Sequence, residues 1–268
     1  MTTIRDRLWI WGQNPGTHHG DTNPYRLPGQ NRMTALEGAY YMGIPNCCRV
    51  VSLGLPVPPF DQEAMVLDTL DRVVWSVLGC GGSKRNSDGD SDIEEVIRIA
   101  KKHPNVVGGI MDDFMNEVRL KTYPPAALKE FRRRLNEGVG RKMDLWTVIY
   151  THELDYPVKD HLAECDVASM WTWDAKDLTS LDDNMAKLKA MFPDKPVLAG
   201  RYMWNYGGGS PMPVDLMEYQ LDKYHSWLKS GKIEGIVFCS NCIADLDLKA
   251  VDTTREWIRE HGSEELLQ

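Results

Sequence analysis

Strand-like and helix-like segments alternate along the whole of this chain, and that alternation is the strongest constraint on its fold. Short apolar runs are followed by turns and then by amphipathic stretches. This order predicts parallel strands joined by crossover helices, because a tight turn cannot join two parallel strands. The predicted strands cover residues 8–11, 47–53, 72–78, 106–111, 144–150, 167–171, 196–202 and 236–239.

Eight strand–helix repeats in 268 residues predict a (β/α)8 TIM barrel, built as one domain over residues 1–268. The alternative is a doubly wound open sheet, which normally carries a Gly-rich phosphate turn after its first strand. The turn here, Gly12-Gln13-Asn14-Pro15-Gly16, departs from G-x-G-x-x-G, and Pro15 removes a backbone donor. The loops after strands one, three and seven are the longest, so we expect them to form the pocket walls; the loop after strand three spans residues 79–90.

Composition narrows the class of ligand. The formal net charge is −8, which argues against a general binder of nucleic acid or of anionic membranes, since both need basic patches.

No apolar stretch approaches the roughly 20 residues of a membrane span, and no signal peptide is visible after Met1. Vicinal Cys47-Cys48 disfavours a disulfide framework, so we expect reduced thiols and a cytoplasmic protein. A leader removed before Met1 would leave the same sequence.

Residues 106–114, Val-Val-Gly-Gly-Ile-Met-Asp-Asp-Phe, form an apolar run that ends in two adjacent carboxylates, Asp112 and Asp113. The run is typical of a strand buried on both faces. Ligands of parallel α/β folds bind at the carboxyl ends of strands, and burying an unpartnered carboxylate is costly, so the pair indicates a catalytic centre. Side chains alternate along a strand, so we expect only one of the two to face the site.

A second catalytic carboxylate is expected at the end of strand five or six, where Glu153 and Asp174 stand. Two carboxylates about 5–10 Å apart carry out glycoside hydrolysis, one as the acid and the other as base or nucleophile. Both residues also have a structural interpretation, Glu153 as a solvated loop acid and Asp174 as the cap of the next helix. The candidate catalytic residues are therefore Asp112, Asp113, Glu153 and Asp174.

Flat aromatic rings, amides and one arginine follow the other strand ends and predict contacts to a polyhydroxylated ligand. Nine Trp and ten Tyr against five Phe favour rings with a polar handle, of the kind that bind sugars. Arg201 is expected either to bind an anionic group or to form a structural ion pair. The predicted substrate-binding residues are Trp11, Gln13, His152, Trp173, Arg201, Tyr202, Trp204 and Asn241.

No cofactor is expected, and the expected ligand is a small molecule or an oligosaccharide; the oligomeric state is left open. The alternative is a divalent metal held by His152, Glu153 and an aspartate, as in a metal-dependent sugar isomerase, lyase or hydrolase. Two weaker metal signals are vicinal His18-His19 and the lone C-x-x-C of Cys239 to Cys242. Vicinal histidines rarely bind one ion together, and the C-x-x-C has no second pair nearby in the sequence.

The chain resembles the glycoside-hydrolase type of TIM barrel. The resemblance covers nearly the whole repeat order, and its residues are Gly108 to Phe114 on strand four and Trp171-Thr172-Trp173-Asp174 after strand six. The chain lacks two signatures of such barrels. One is an Asn-Glu on strand four with a Glu on strand seven, and strand seven here ends in Arg201-Tyr202 instead. The other is a chitinase-like D-x-x-D-x-D-x-E run. The resemblance implies a probable glycosidase; the further alternative is a sugar-binding barrel without catalysis.

Overall fold

The computed structural model describes residues 1–80 and 91–266. Residues 81–90 of the loop expected to wall the pocket lie outside this range. The chain forms two compact units, which are described separately below. The first comprises Met1–Cys47, Trp171–Leu181 and Val197–Gln268, and the second comprises Cys48–Met170 and Asp182–Pro196.

Eight parallel strands close into a barrel, which confirms the predicted fold class. The barrel order is β1-β10-β7-β6-β5-β4-β3-β2, and β8 pairs with β9 in a separate antiparallel hairpin. The strands are β1 Leu8–Gly12, β2 Asn46–Arg49, β3 Arg72–Leu78, β4 Val106–Met111, β5 Asp144–Tyr150, β6 Val167–Trp171, β7 Val197–Tyr202, β8 Trp204–Asn205, β9 Ser210–Pro211 and β10 Gly235–Cys239.

Two glycines in the second unit allow β4 to lie close to its neighbours. A Cβ on Gly108 would stand 2.4 Å from the carbonyl oxygen of Asp144 on β5. A Cβ on Gly109 would stand 2.7 Å from Cγ1 of Val77 on β3. These contacts are shorter than van der Waals distance, so the Gly-Gly pair that precedes the two aspartates is required by packing.

The helices fall where the amphipathic stretches predict them, with two short additions, α4 and α9, and with six residues of 3-10 helix, Ala175–Ser180, before α7. Gly138 of α5 contacts Ile97 of α3, where a Cβ would stand 2.9 Å from Cγ2 of Ile97, so these helices pack closely. The helices are α1 Ala35–Met42, α2 Asp61–Leu67, α3 Ile93–Lys102, α4 Glu117–Thr122, α5 Pro125–Val139, α6 Lys159–Ala163, α7 Leu181–Met191, α8 Val214–Lys229, α9 Asn241–Ala244 and α10 Lys249–His261.

Strand β2 is shorter than its apolar run predicts, because it ends at Arg49 rather than at residue 53. Beyond it, the carbonyl oxygen of Val51 accepts a hydrogen bond from the Cys80 amide at 2.9 Å. Leu53 then adopts a left-handed φ of 52°, which ends the extended conformation. The predicted strand was therefore four residues too long at its end, over residues 50–53.

In the first unit, the terminal segments of the described chain pair with each other. Thr3 and Glu265 form an antiparallel bridge, and the Ile4 amide donates to the Glu264 carbonyl at 2.9 Å. The Leu266 amide donates to the Thr2 carbonyl at 2.9 Å. None of the helices in the described part of the chain is both long enough and apolar enough to cross a bilayer.

Candidate active site

The predicted site residues separate into one group in each unit. Asp112, Asp113, His152 and Glu153 belong to the second unit, and Asp174 and the remaining predicted residues belong to the first. We call Asp112, Asp113 and Glu153 the carboxyl cluster.

The two aspartates that follow β4 have different surroundings. Asp112 is buried, with 4% of its surface exposed, and its amide donates to the Leu78 carbonyl at 3.0 Å. Asp113 is partly exposed and has a left-handed φ of 47°. The side-chain amide of Asn116 donates to the Asp113 carbonyl at 2.7 Å and stabilises this sharp turn. Asp113 therefore has the more accessible carboxylate.

Tyr150 at the end of β5 contacts both Asp113 and Glu153. Its hydroxyl donates to Oδ1 of Asp113 at 2.7 Å, and its amide donates to Oε2 of Glu153 at 2.8 Å. Glu153 lies in the 3-10 turn that follows β5, so its carboxyl folds back onto the end of the strand. One residue thus fixes the positions of two carboxyl groups from neighbouring strands.

Burial makes two members of the carboxyl cluster weak acids. It raises the pKa of Glu153 to about 7; the hydrogen bond from the Tyr150 amide opposes the shift, and the charge of Asp113 adds to it. Burial, followed by the charge of Asp113, raises the pKa of Asp112 well above its ordinary value. A carboxyl whose pKa is near 7 holds its proton at the pH where a general acid must release it.

Arg119 of α4 supports the cluster and was not predicted from the sequence. Its guanidinium is buried and donates to the carbonyls of Asp112 at 2.8 Å and of Cys80 at 3.2 Å. It therefore ties the end of β3 to the end of β4, and its charge partly offsets the raised pKa of Asp112. Charged residues surround Arg119 in the sequence of α4, so the sequence predicts an exposed side chain rather than a buried one.

His152 is exposed, and its ring stacks on Tyr150 with centroids 5.4 Å apart. Among the residues that the structure describes, three metal-binding side chains bring their ligand atoms within 4.8 Å of one another only at His225, His261 and Glu264. The alternative ligand set of His152, Glu153 and an aspartate does not meet at one point here.

Asp174 caps the following 3-10 helix, as its structural interpretation predicts. Its carboxylate accepts hydrogen bonds from the amide of Lys176 at 3.1 Å and from its ammonium at 2.8 Å. These bonds lower the pKa of Asp174. The expectation that Asp174 is the second catalytic carboxylate is therefore not supported by its contacts.

Seven rings of the first unit form a continuous group, which we call the aromatic cluster. Trp171 contacts Trp11 and Tyr202, with centroids 5.4 and 4.9 Å apart. Tyr206 contacts Tyr202 at 4.9 Å and Trp173 at 5.5 Å. Its members are Trp11, His18, Tyr25, Trp171, Trp173, Tyr202 and Tyr206.

The edge of the aromatic cluster carries polar atoms. Tyr206 Oη lies 2.7 Å from Nδ1 of His18, and Ser240 Oγ lies 3.4 Å from the same nitrogen. Burial lowers the pKa of His18 to about 4, so this imidazole is neutral near pH 7. Trp173 and Tyr25 are partly exposed, so the cluster offers open ring surface beside hydroxyl groups.

Two side chains that were predicted to bind sugar, those of Asn241 and Trp204, form hydrogen bonds within the protein. Asn241 is fully buried, and its side chain bonds the backbone amide and carbonyl of Gln13 at 2.8 and 3.0 Å. It also donates to the Met33 carbonyl, so it joins β1 to the start of α9. Trp204 is buried and donates its indole N–H to the Tyr25 carbonyl at 3.0 Å.

Arg201 contradicts the expectation that it binds an anionic substrate group. Its side chain is 0% exposed and donates to the hydroxyl of Thr254 on α10 at 2.6 Å, so it points toward the helices. Strand alternation is the reason, since Tyr202 beside it joins the aromatic cluster. The hydroxyl of Thr254 is neutral, so within the described part of the chain Arg201 does not form the expected structural ion pair either.

The predicted site residues do not include Tyr150, Arg119, Tyr25 or Tyr206. Tyr150 ends a predicted strand and so carried the same signal as the acids. Tyr206 follows Trp204 and Asn205 in a loop rich in flat and polar side chains. Tyr25 lies between turn residues with no periodic signal, and only the folded chain shows its role.

No protein-family model matches the chain, and no curated protein is found to be similar. Solved structures share its fold. A family GH18 chitinase from Cycas revoluta, in complex with allosamidin, is 13% identical with a TM-score of 0.56; the match covers 93% of this chain and 99% of that one. A GH113 beta-1,4-mannanase is 13% identical with a TM-score of 0.52, covering 97% and 99%.

A third similar structure is a GH2 beta-galacturonidase from Eisenbergiella tayi bound to galacturonate, 12% identical with a TM-score of 0.58. The match covers 98% of this chain but only 52% of that enzyme, so this chain spans about half its length. These likenesses confirm the predicted resemblance to glycoside-hydrolase barrels at the level of the fold.

Proposed function

We propose that this protein is a glycoside hydrolase in which Glu153 is the general acid and Asp113 the base or nucleophile. The observation that carries the proposal is Tyr150, which binds both carboxyl groups through its hydroxyl and its amide. Glu153, with a pKa raised to about 7, can protonate the leaving oxygen at neutral pH. Asp113 is the more accessible aspartate and supplies the second carboxylate.

Asp112 is assigned a supporting role. It is buried, and burial together with the charge of Asp113 raises its pKa well above the ordinary value. Its amide hydrogen bond to β3 and the contact of Arg119 with its carbonyl hold the strand end from which Asp113 projects.

The aromatic cluster supports a sugar as the ligand class. The partly exposed Trp173 offers a flat face for sugar C–H groups, and the centroid of the Tyr206 ring lies 5.5 Å from that of Trp173. The solved neighbours also include proteins described as a chitinase, a mannanase and a galacturonidase. We propose that Trp173 binds sugar, so that Trp173→Ala weakens the binding of sugar measured by calorimetry.

The test is a panel of aryl glycosides of both anomeric forms, assayed with Glu153→Gln and Asp113→Asn. General acid catalysis contributes about 10²–10⁴-fold, so Glu153→Gln should lose that much on a phenyl glycoside. It should lose far less on a dinitrophenyl glycoside, whose leaving group needs no proton. Asp113→Asn should lose activity on both.

Glu117→Gln and Asp174→Asn are matched controls, since Glu117 is exposed and paired with Lys121 and Asp174 is a helix cap. Both should keep the wild-type rate, with circular dichroism verifying the fold of every variant. Full activity in Glu153→Gln or Asp113→Asn, or a wild-type protein inactive across the panel, would refute the two-carboxylate mechanism; binding without turnover would identify a sugar-binding barrel instead.

A further inference from the structure

Two histidines and one glutamate converge on the helical layer of the first unit. His225 lies on α8, His261 is the last residue of α10, and Glu264 follows three residues later. Nε2 of His225 lies 3.0 Å from Oε2 of Glu264, and Nδ1 of His261 lies 2.5 Å from its Oε1. The two imidazole rings are 4.6 Å apart, so all three ligand groups face one point.

The donor set matches one class of ion. Two imidazole nitrogens and a carboxylate oxygen favour zinc and similar first-row divalent ions rather than calcium or magnesium, which prefer oxygen. A tetrahedral ion with bonds of about 2.1 Å spaces its ligand atoms ~3.4 Å apart. The two histidine–glutamate contacts, 2.5 and 3.0 Å long, need to lengthen by about 1 Å or less to admit the ion, which rotation about the side-chain bonds can provide.

The backbone around Glu264 is fixed, so the ion would not need to order a loose tail. The Glu264 carbonyl accepts a hydrogen bond from the Ile4 amide at 2.9 Å, and the Glu264 amide donates to the His261 carbonyl at 3.0 Å.

Lys229 is the competing cation. Its ammonium lies 3.1 Å from Oε2 of Glu264 and 3.1 Å from the carbonyl oxygen of Glu265. A metal ion that binds Glu264 would take over the carboxylate oxygen that Lys229 now contacts, while the flexible lysine stem can keep its contact with Glu265 or turn to solvent.

We propose that His225, His261 and Glu264 form a binding site for a divalent zinc-like ion, with at least one coordination position open to solvent. The ion would join α8, α10 and the C-terminal segment, and through the Ile4–Glu264 hydrogen bond it would hold the N-terminal segment as well. Because it binds the folded state, it raises the midpoint of thermal unfolding as its concentration rises.

The test uses chelator-treated full-length protein titrated with zinc chloride in a calorimeter. We expect one zinc ion per chain and a rise in the unfolding midpoint with zinc. His225→Ala and Glu264→Gln should each weaken binding by roughly tenfold or more, while His103→Gln, a histidine paired with Asp68 elsewhere, leaves it unchanged. Lys229→Met should bind zinc more tightly, because it removes the competitor.

Trp257 provides an independent readout, since its ring lies 5.3 Å from His261 and 6.1 Å from His225. Copper ions quench tryptophan fluorescence at short range, so copper should quench the wild type more than Trp257→Phe. No zinc binding by the wild type, binding unchanged in both ligand variants, or weaker binding in Lys229→Met would overturn the proposal.

Discussion

Neighbouring residues on a strand have different roles, and the site depends on this at two places. Asp112 is buried while Asp113 is accessible, and Arg201 contacts a helix while Tyr202 joins the aromatic cluster. Strand alternation accounts for the second separation, whereas the first arises at a turn, because Asp113 has a left-handed φ of 47°. The sequence reasoning applied the rule to the aspartates but not to Arg201, whose charge made it attractive as a ligand.

The ionisation of Glu153 predicts how activity depends on pH. Its pKa of about 7 means that the acid form, which donates the proton, is lost as pH rises through neutrality. On a phenyl glycoside, kcat should therefore fall about tenfold for each unit of pH above 8. The rate on a dinitrophenyl glycoside should change much less over that range. A phenyl glycoside rate that keeps rising to pH 9 would contradict Glu153 as the acid.

The raised pKa of Glu153 should also make the free energy of unfolding depend on pH. The pKa of Glu153 is higher in the folded protein than the ordinary 4.5, so its stabilising contribution is complete below about pH 4.5 and is lost as pH rises through 7. Glu153→Gln removes this loss and should raise the free energy of unfolding at pH 8 by up to about 3 kcal/mol relative to pH 4. Urea unfolding at both pH values measures it, with Glu117→Gln as control. A variant whose gain is equal at both pH values would show that ionisation of Glu153 is not the cause.

At the scale of the element, strand contacts are set by glycines as much as by apolar side chains. Most strand bounds could be predicted because period and length define them; β3, β5 and β6 begin and end where predicted. The end of β2 could not, because the left-handed turn at Leu53 depends on contacts made only in the folded chain. The 3-10 turn that carries Glu153 likewise has no periodic signal.

Gly200 on β7 gives the element-scale prediction. A Cβ there would stand 2.0 Å from Cδ2 of Trp171, a buried member of the aromatic cluster. Gly200→Ala should destabilise the protein by about 3 kcal/mol and lower the unfolding midpoint by about 10 °C. Gly29→Ala is the control, because its nearest atom, Cδ2 of Leu246, would be 3.5 Å away in ordinary contact. Equal midpoints for the two variants in scanning calorimetry would mean that Trp171 can move aside.

At the scale of the whole molecule, the barrel could be predicted because eight repeats leave few arrangements, whereas the partners of each site residue could not. Asn241 illustrates the limit: an amide at a strand end suits a sugar hydroxyl, but here it bonds the backbone of Gln13 and Met33. The assignment of residues 1–268 to one domain stays a prediction.

The bridge between Thr3 and Glu265 has a consequence for connectivity. Because these two segments are paired as far as Thr2 and Leu266, a short Gly-Ser linker can join these two residues, and the chain can be opened elsewhere. Opening it between Val57 and Pro58, in an exposed turn, should give a circular permutant that unfolds cooperatively and keeps the hydrolytic rate. The control is the same opening without the linker, which leaves two separate fragments. In a closed ring of repeated units, the position at which the polypeptide begins is set by its gene and not by its folded structure.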